Sequence, residues 1–234
     1  RPSWTVDSDS AKYSSFLDSL REEFGRGTPK VCNIPVTKKA NNDKFVLVNL
    51  VLPFNRNTIT LAFRASDAYL VGFQDRDSKT NKLRANFFSD EYRALSGKYK
   101  SIFTDAEVLA PALPCASTYT DLQNKAGVSR EKLSLGVSSL QTAFTAVYGK
   151  VFTGKNVAKF ALISIQMVAE AARFKYIEDQ VINRGMYSSF EAGARITLLE
   201  NNWSKISEQY HKSCKLGGGQ FTEEEMKLGL LLYN

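Results

Sequence analysis

The chain has 234 residues, 43% of them hydrophobic and 24% charged, a balance that suits a folded globular protein with material for a sizeable core. Lys and Arg (31) outnumber Asp and Glu (24), which favours polyanions or simply aids solubility, and charge alone weighs toward solubility. No run approaches the roughly 20 apolar residues of a membrane span, and one histidine (His211) with three scattered cysteines leaves no metal-ligand spacing.

The N-terminus, RPSWTVDSDS, carries no hydrophobic signal region, so the expectation is a cytosolic protein or a secreted one already trimmed. Residues 8–25 read as a helix. Tyr13, Phe16, Leu17, Leu20 and Phe24 fall on one face, Ser8 or Ser10 caps the start and Gly25 ends it. The period changes over residues 32–54, where KFVLVNLVLPF is β-branched and aromatic and stops at Pro53. NTITLAFRA, DAYLVGFQD and KLRANFF follow with polar turns between them, the pattern of an antiparallel or mixed sheet.

After about residue 115 the period is helical. SREKLSLGVSSLQTAFTAVYG opens with a Ser129 cap and Glu131 in its first turn. GKNVAKFALISIQMVAEAARFKYIEDQVI is the longest pattern, read as one continuous helix whose apolar middle places it at the centre. SSFEAGARITLLENNWSKISEQYHKS continues helical, GGG at 217–219 breaks the chain, and Thr222 with Glu225 forms a capping box before a short apolar ending. Strands first and helices after predict an α+β fold: a sheet-rich lobe over 1–110, a helical lobe around the central helix over 111–212 and a short C-terminal segment over 213–234.

Glu170 and Arg173, in QMVAEAARFKYIE, project from nearly one face of that central helix. An exposed pair of this kind is an ordinary helical ion pair worth a few tenths of a kcal/mol. Here Ile165, Met167, Val168, Ala171, Ala172 and Phe174 leave no solvated face, and a buried pair costs several kcal/mol to desolvate. Such pairs concentrate at functional sites, although structural networks use them too. Ala169, Ala171 and Ala172 leave space beside the pair for a ligand. Tyr69 and Tyr119, read at strand or loop ends, and Trp203 are either core aromatics or stacking platforms for a base. No phosphate loop and no Ser/His/Asp set is present, and NWS at 202–204 matches a glycosylation sequon awkwardly placed beside Trp203. Three cysteines allow at most one disulfide, which spacing alone does not pair.

IQMVAEAARFKYIE resembles the signature of the plant ribosome-inactivating proteins, and the resemblance runs along almost the whole chain. YSSFLDSLREEF is similar to that family's first helix, AYLVGF to its first substrate tyrosine, STYTDLQNKAG to its second and LLENNWSKIS to its tryptophan motif. The form is like the single-chain type, since no lectin domain follows. The resemblance implies removal of one adenine from large ribosomal RNA, with inhibition of translation. It implies Glu170 and Arg173 as the catalytic pair and Tyr69 and Tyr119 as the sandwich around the base, with Trp203, Leu70 and Ser117 completing the substrate pocket. It also implies a Cys32–Cys214 disulfide with Cys115 left free, no metal or redox cofactor, and a monomer that is extracellular or vacuolar after loss of a signal peptide. The implied partners are ribosomal RNA, the adenine product and ribosomal stalk proteins.

The chemistry agrees with the residue types. Breaking an N-glycosidic bond builds positive charge on the ribose and negative charge on the departing base. A carboxylate facing the sugar stabilises the first, and a guanidinium near adenine N3 stabilises the second. Ordinary glycosidases use two carboxylates because an alcohol leaving group needs an acid. The rival readings are a catalytically weak relative that binds RNA or serves as a storage protein, and a broader polynucleotide adenosine glycosidase.

Overall fold

The computed structural model describes residues 3–5, 10–25, 28–38, 45–51, 56–64, 70–88, 119–129, 154–182, 190–215 and 227–233. Residues 130–149 of the expected helix, the Thr222–Glu225 box, the GGG run and Cys115 lie outside them.

Helix α1 (Ser10–Gly25) buries Tyr13, Phe16, Leu17 and Leu20, as its period requires. The β-rich half forms a five-stranded mixed sheet. Its strands are β1 (Ser3–Thr5), β4 (Phe45–Val51), β5 (Thr58–Arg64), β6 (Leu70–Arg76) and β7 (Leu83–Phe88), in the order β1-β4-β5-β6-β7. Strand β1 runs parallel to β4, and the other pairings are antiparallel. A second sheet joins β2 (Lys30–Val31), β3 (Ile34–Lys38) and β8 (Leu231–Tyr233), with β8 parallel to β3. The short apolar segment at 231–233 is thus a strand, paired with one that lies far before it in the chain.

The helices are α2 (Tyr119–Ala126), α3 (Gly154–Ser164), α4 (Ala171–Arg173), α5 (Lys175–Ile182), α6 (Phe190–Asn201) and α7 (Trp203–Ser213). Every residue from Ala161 to Phe174 is buried, which places the long pattern at the centre as its apolar character demands. It is not one continuous helix. Ile165–Glu170 is a π-helical turn between α3 and α4, in which the Ala171 N–H donates to the Gln166 carbonyl. Phe174 is extended (φ −127°, ψ 122°) and separates α4 from α5. The reason is long-range. Phe174 bridges to Leu228, the Lys175 N–H donates to the Lys227 carbonyl and the Gly229 N–H to the Arg173 carbonyl. The C-terminal segment replaces helical hydrogen bonds that the local sequence alone would have made.

Cys32 and Cys214 form a disulfide with 5.7 Å between their Cα atoms, as the resemblance implied. The fold is α+β. Among the described residues no helix is long and apolar enough to cross a membrane.

Candidate active site

The π turn and the break at Phe174 bracket the two residues that sequence singled out. Glu170 closes the π turn and Arg173 ends α4. A π turn shifts the side-chain register by one residue relative to an α-helix and recurs at functional sites. Glu170 and Arg173 are buried, at 1% and 6% exposure, so this pair is no surface ion pair. The Arg173 guanidinium donates to Glu170 Oε1 at 2.5 Å. The Tyr119 hydroxyl donates to the same oxygen at 3.1 Å. The guanidinium carbon of Arg173 lies 3.7 Å from the centre of the Trp203 ring, a cation–π contact worth about 2 kcal/mol when desolvated.

Four sequence-predicted site residues therefore converge: Glu170, Arg173, Tyr119 and Trp203. Tyr119 is not at a strand or loop end but is the first residue of α2, and its half-buried side chain is aimed at the carboxylate. Trp203 opens α7, is buried, and donates its indole N–H to the Leu230 carbonyl at 3.3 Å. Leu70 begins β6. Tyr69 and Ser117 lie outside the described residues. Asn202 of the sequon donates its amide to the Leu198 carbonyl at 2.7 Å.

Other buried polar groups surround the pair that sequence reading passed over. Gln166 donates to Glu200 at 3.1 Å, both of them buried. From α1, the Tyr13 hydroxyl donates to the Met167 carbonyl at 2.7 Å. Burial, then the Glu178 carboxylate, push this phenol well above the usual tyrosine range, so it stays a donor. Arg21 donates to the carbonyls of Ala172 (2.9 Å) and Ala171 (2.8 Å) and to the carboxylates of Glu178 (2.7 Å) and Asp18 (2.8 Å). Helix α1 thereby takes up carbonyls of the π turn and of α4 and holds the backbone that carries Glu170 and Arg173. The signal was present: Tyr13, Leu17 and Arg21 recur four apart, so Arg21 stands on the apolar stripe. Glu200 likewise stands on one face with the buried Ile196, four residues before it.

What this arrangement can do follows from its charges. A buried carboxylate and guanidinium, held by several partners, offer opposite charges to two sides of a bond that separates charge as it breaks. Among the described residues no cluster of His, Cys, Asp and Glu could hold a metal ion.

Comparison with known proteins places the chain in a family. A family model described as "Ribosome inactivating protein" matches residues 8–209. Ribosome-inactivating protein PD-L3/PD-L4 of Phytolacca dioica is 38% identical over 214 residues, covering 86% of this chain and 78% of that protein. The crystal structure of lychnin, a type 1 ribosome-inactivating protein, is 98% identical and superposes with a TM-score of 0.85 over all of both chains. That of the type 1 protein bouganin is 33% identical with a TM-score of 0.80, again over all of both. Sequence, fold and the buried pair lead to one conclusion: the chain belongs to the ribosome-inactivating protein family and is an rRNA N-glycosidase.

Proposed function

We propose that Glu170 and Arg173 are the catalytic residues of this glycosidase. The observation that carries the reading is their buried contact, joined on one side by the Tyr119 hydroxyl and on the other by the Trp203 ring. A pair that costs several kcal/mol to desolvate is a poor device for stability alone. As the C1′–N9 bond breaks, its electron pair leaves with adenine. Arg173 donates a hydrogen bond at N3 and stabilises the negative charge that gathers on the purine. Glu170 faces the ribose, stabilises the oxocarbenium-like carbon and accepts a proton from the water whose oxygen bonds to C1′. The purine is protonated as it departs, so one water is consumed for each adenine released.

Tyr119 stacks on one face of the adenine and orients the Glu170 carboxylate through its hydroxyl. Tyr69, directly before β6, is assigned the other face on its motif, and Trp203, Leu70 and Ser117 shape the pocket. Stacking repays part of the cost of taking the base out of its RNA stack. The net charge of +7 suits an RNA substrate and supports the ribosome as partner, with stalk proteins as a docking point. We assign the protein a monomeric state and an extracellular or vacuolar site on the same family resemblance.

The test is the Glu170→Gln variant, which keeps shape and removes charge. Its kcat for adenine release should fall about 100-fold or more while RNA affinity is nearly kept, because the lost interaction is strongest in the transition state. Undiminished kcat would remove Glu170 from the mechanism.

A further inference from the structure

We propose that Gly229 is a positioning residue for the reaction, acting through its backbone on Arg173. The inference rests on the assignment of Arg173 above. The Phe174 N–H makes the last bond of the helical ladder, to the Glu170 carbonyl; because Phe174 is extended, the carbonyl of Arg173 accepts instead from the Gly229 N–H at 2.8 Å. One residue later, the Leu230 carbonyl accepts the indole N–H of Trp203 at 3.3 Å. The guanidinium of Arg173 lies over that indole. Both members of the cation–π contact are thus fastened to adjacent residues of one short segment. That segment is itself anchored by the buried Leu228, Leu230 and Leu231 and by the Lys175-to-Lys227 backbone bond of 2.9 Å.

Only glycine permits this approach. A Cβ at position 229 would overlap the carbonyl oxygen of Ala172 and the Nε of Arg21. Neither neighbour can step aside cheaply. Ala172 belongs to α4, and Arg21 is held by hydrogen bonds to two carbonyls and two carboxylates. A side chain here would push the segment off the Phe174 break and release the Arg173 carbonyl. Displacement of about 1 Å at a catalytic group costs on the order of 100-fold in rate.

The experiment compares three proteins by single-turnover adenine release from ribosomes. They are Gly229→Ala, a variant with glycolic acid replacing Gly229 so that an ester oxygen stands where the N–H was, and Arg173→Gln. The ester removes one donor and adds no bulk. It should lower kcat about tenfold or more with KM within roughly twofold, and Gly229→Ala should lower it further. If Gly229→Ala does not fold by circular dichroism, the ester variant alone decides. Wild-type kcat in the ester variant, with Arg173→Gln inactive, would overturn the positioning role and leave the catalytic assignment standing. The same holds for a loss that appears only as lowered thermal stability. Full activity of Arg173→Gln would overturn both.

Discussion

At Glu170 the carboxylate oxygen that meets Arg173 also accepts the Tyr119 hydroxyl, so one tyrosine serves two purposes. In the proposed mechanism its ring stacks on the base and its O–H orients the carboxylate. Tyr119→Phe keeps the first and loses the second, and should reduce kcat about 10- to 100-fold, the worth of one hydrogen bond to a charged group. Tyr119→Ala loses both, with stacking alone worth about 1–3 kcal/mol. Equal kinetics of the two variants in adenine release would contradict the double role. At this scale the sequence was informative about which residues meet and less so about how. Glu170 and Arg173 stood out because charge is costly in an apolar run. The Tyr119 hydroxyl bond joins residues 51 apart in sequence, and no local pattern encodes it. Arg21 and Glu200 were passed over because single charged residues on a helix are usually solvated, although their place on the apolar stripe marked them.

Helix α1 and the central helical segment meet through charge as well as apolar packing. Arg21 and Glu178 are both buried and 2.7 Å apart, and Ser14 and Lys175 donate to the other Glu178 oxygen. Arg21→Met leaves Glu178 without its main buried counter-charge and should cost about 3–5 kcal/mol in denaturant unfolding. The double variant with Glu178→Leu should recover much of that loss, and a single variant as stable as wild type would show the pair to be incidental. The β6–β7 hairpin supplies a prediction about pH. The Asp77 carboxylate accepts from the Lys79 and Thr80 N–H groups and the Thr80 hydroxyl, and these bonds hold it below its usual range. A depressed folded-state pKa stabilises above the unfolded value of about 4 and is lost as pH falls through the folded value. Asp77→Ala should therefore lower Tm at pH 7, with the difference shrinking below about pH 4. A Tm gap independent of pH would refute the link. Elements with a clear period, such as α1 and β4 to β7, were legible because apolar spacing decides them locally. The break at Phe174 was not, since it is held by backbone bonds to residues 227 and 229, and the π turn before it leaves no mark in the apolar period.

Across the whole molecule, one apolar core joins α1, the central helices, α6, α7 and the C-terminal strand, and the buried Glu170–Arg173 pair sits within it. Partners converge on the two charges from α2 and α7, while α1 and the segment before β8 hold the backbone that carries them. The α+β class was readable from strands preceding helices, whereas the parallel β3–β8 pairing brings together the two ends of the chain and leaves no local mark. A net charge of +7 carries no base preference, so specificity must arise at the pocket. The measurement that tests this account most directly is free adenine released from intact eukaryotic ribosomes, with the wild type beside Glu170→Gln. The account predicts close to one adenine per ribosome from the wild type and a rate at least about 100-fold lower from the variant. Equal release from both proteins, or none from a folded wild type, would contradict it.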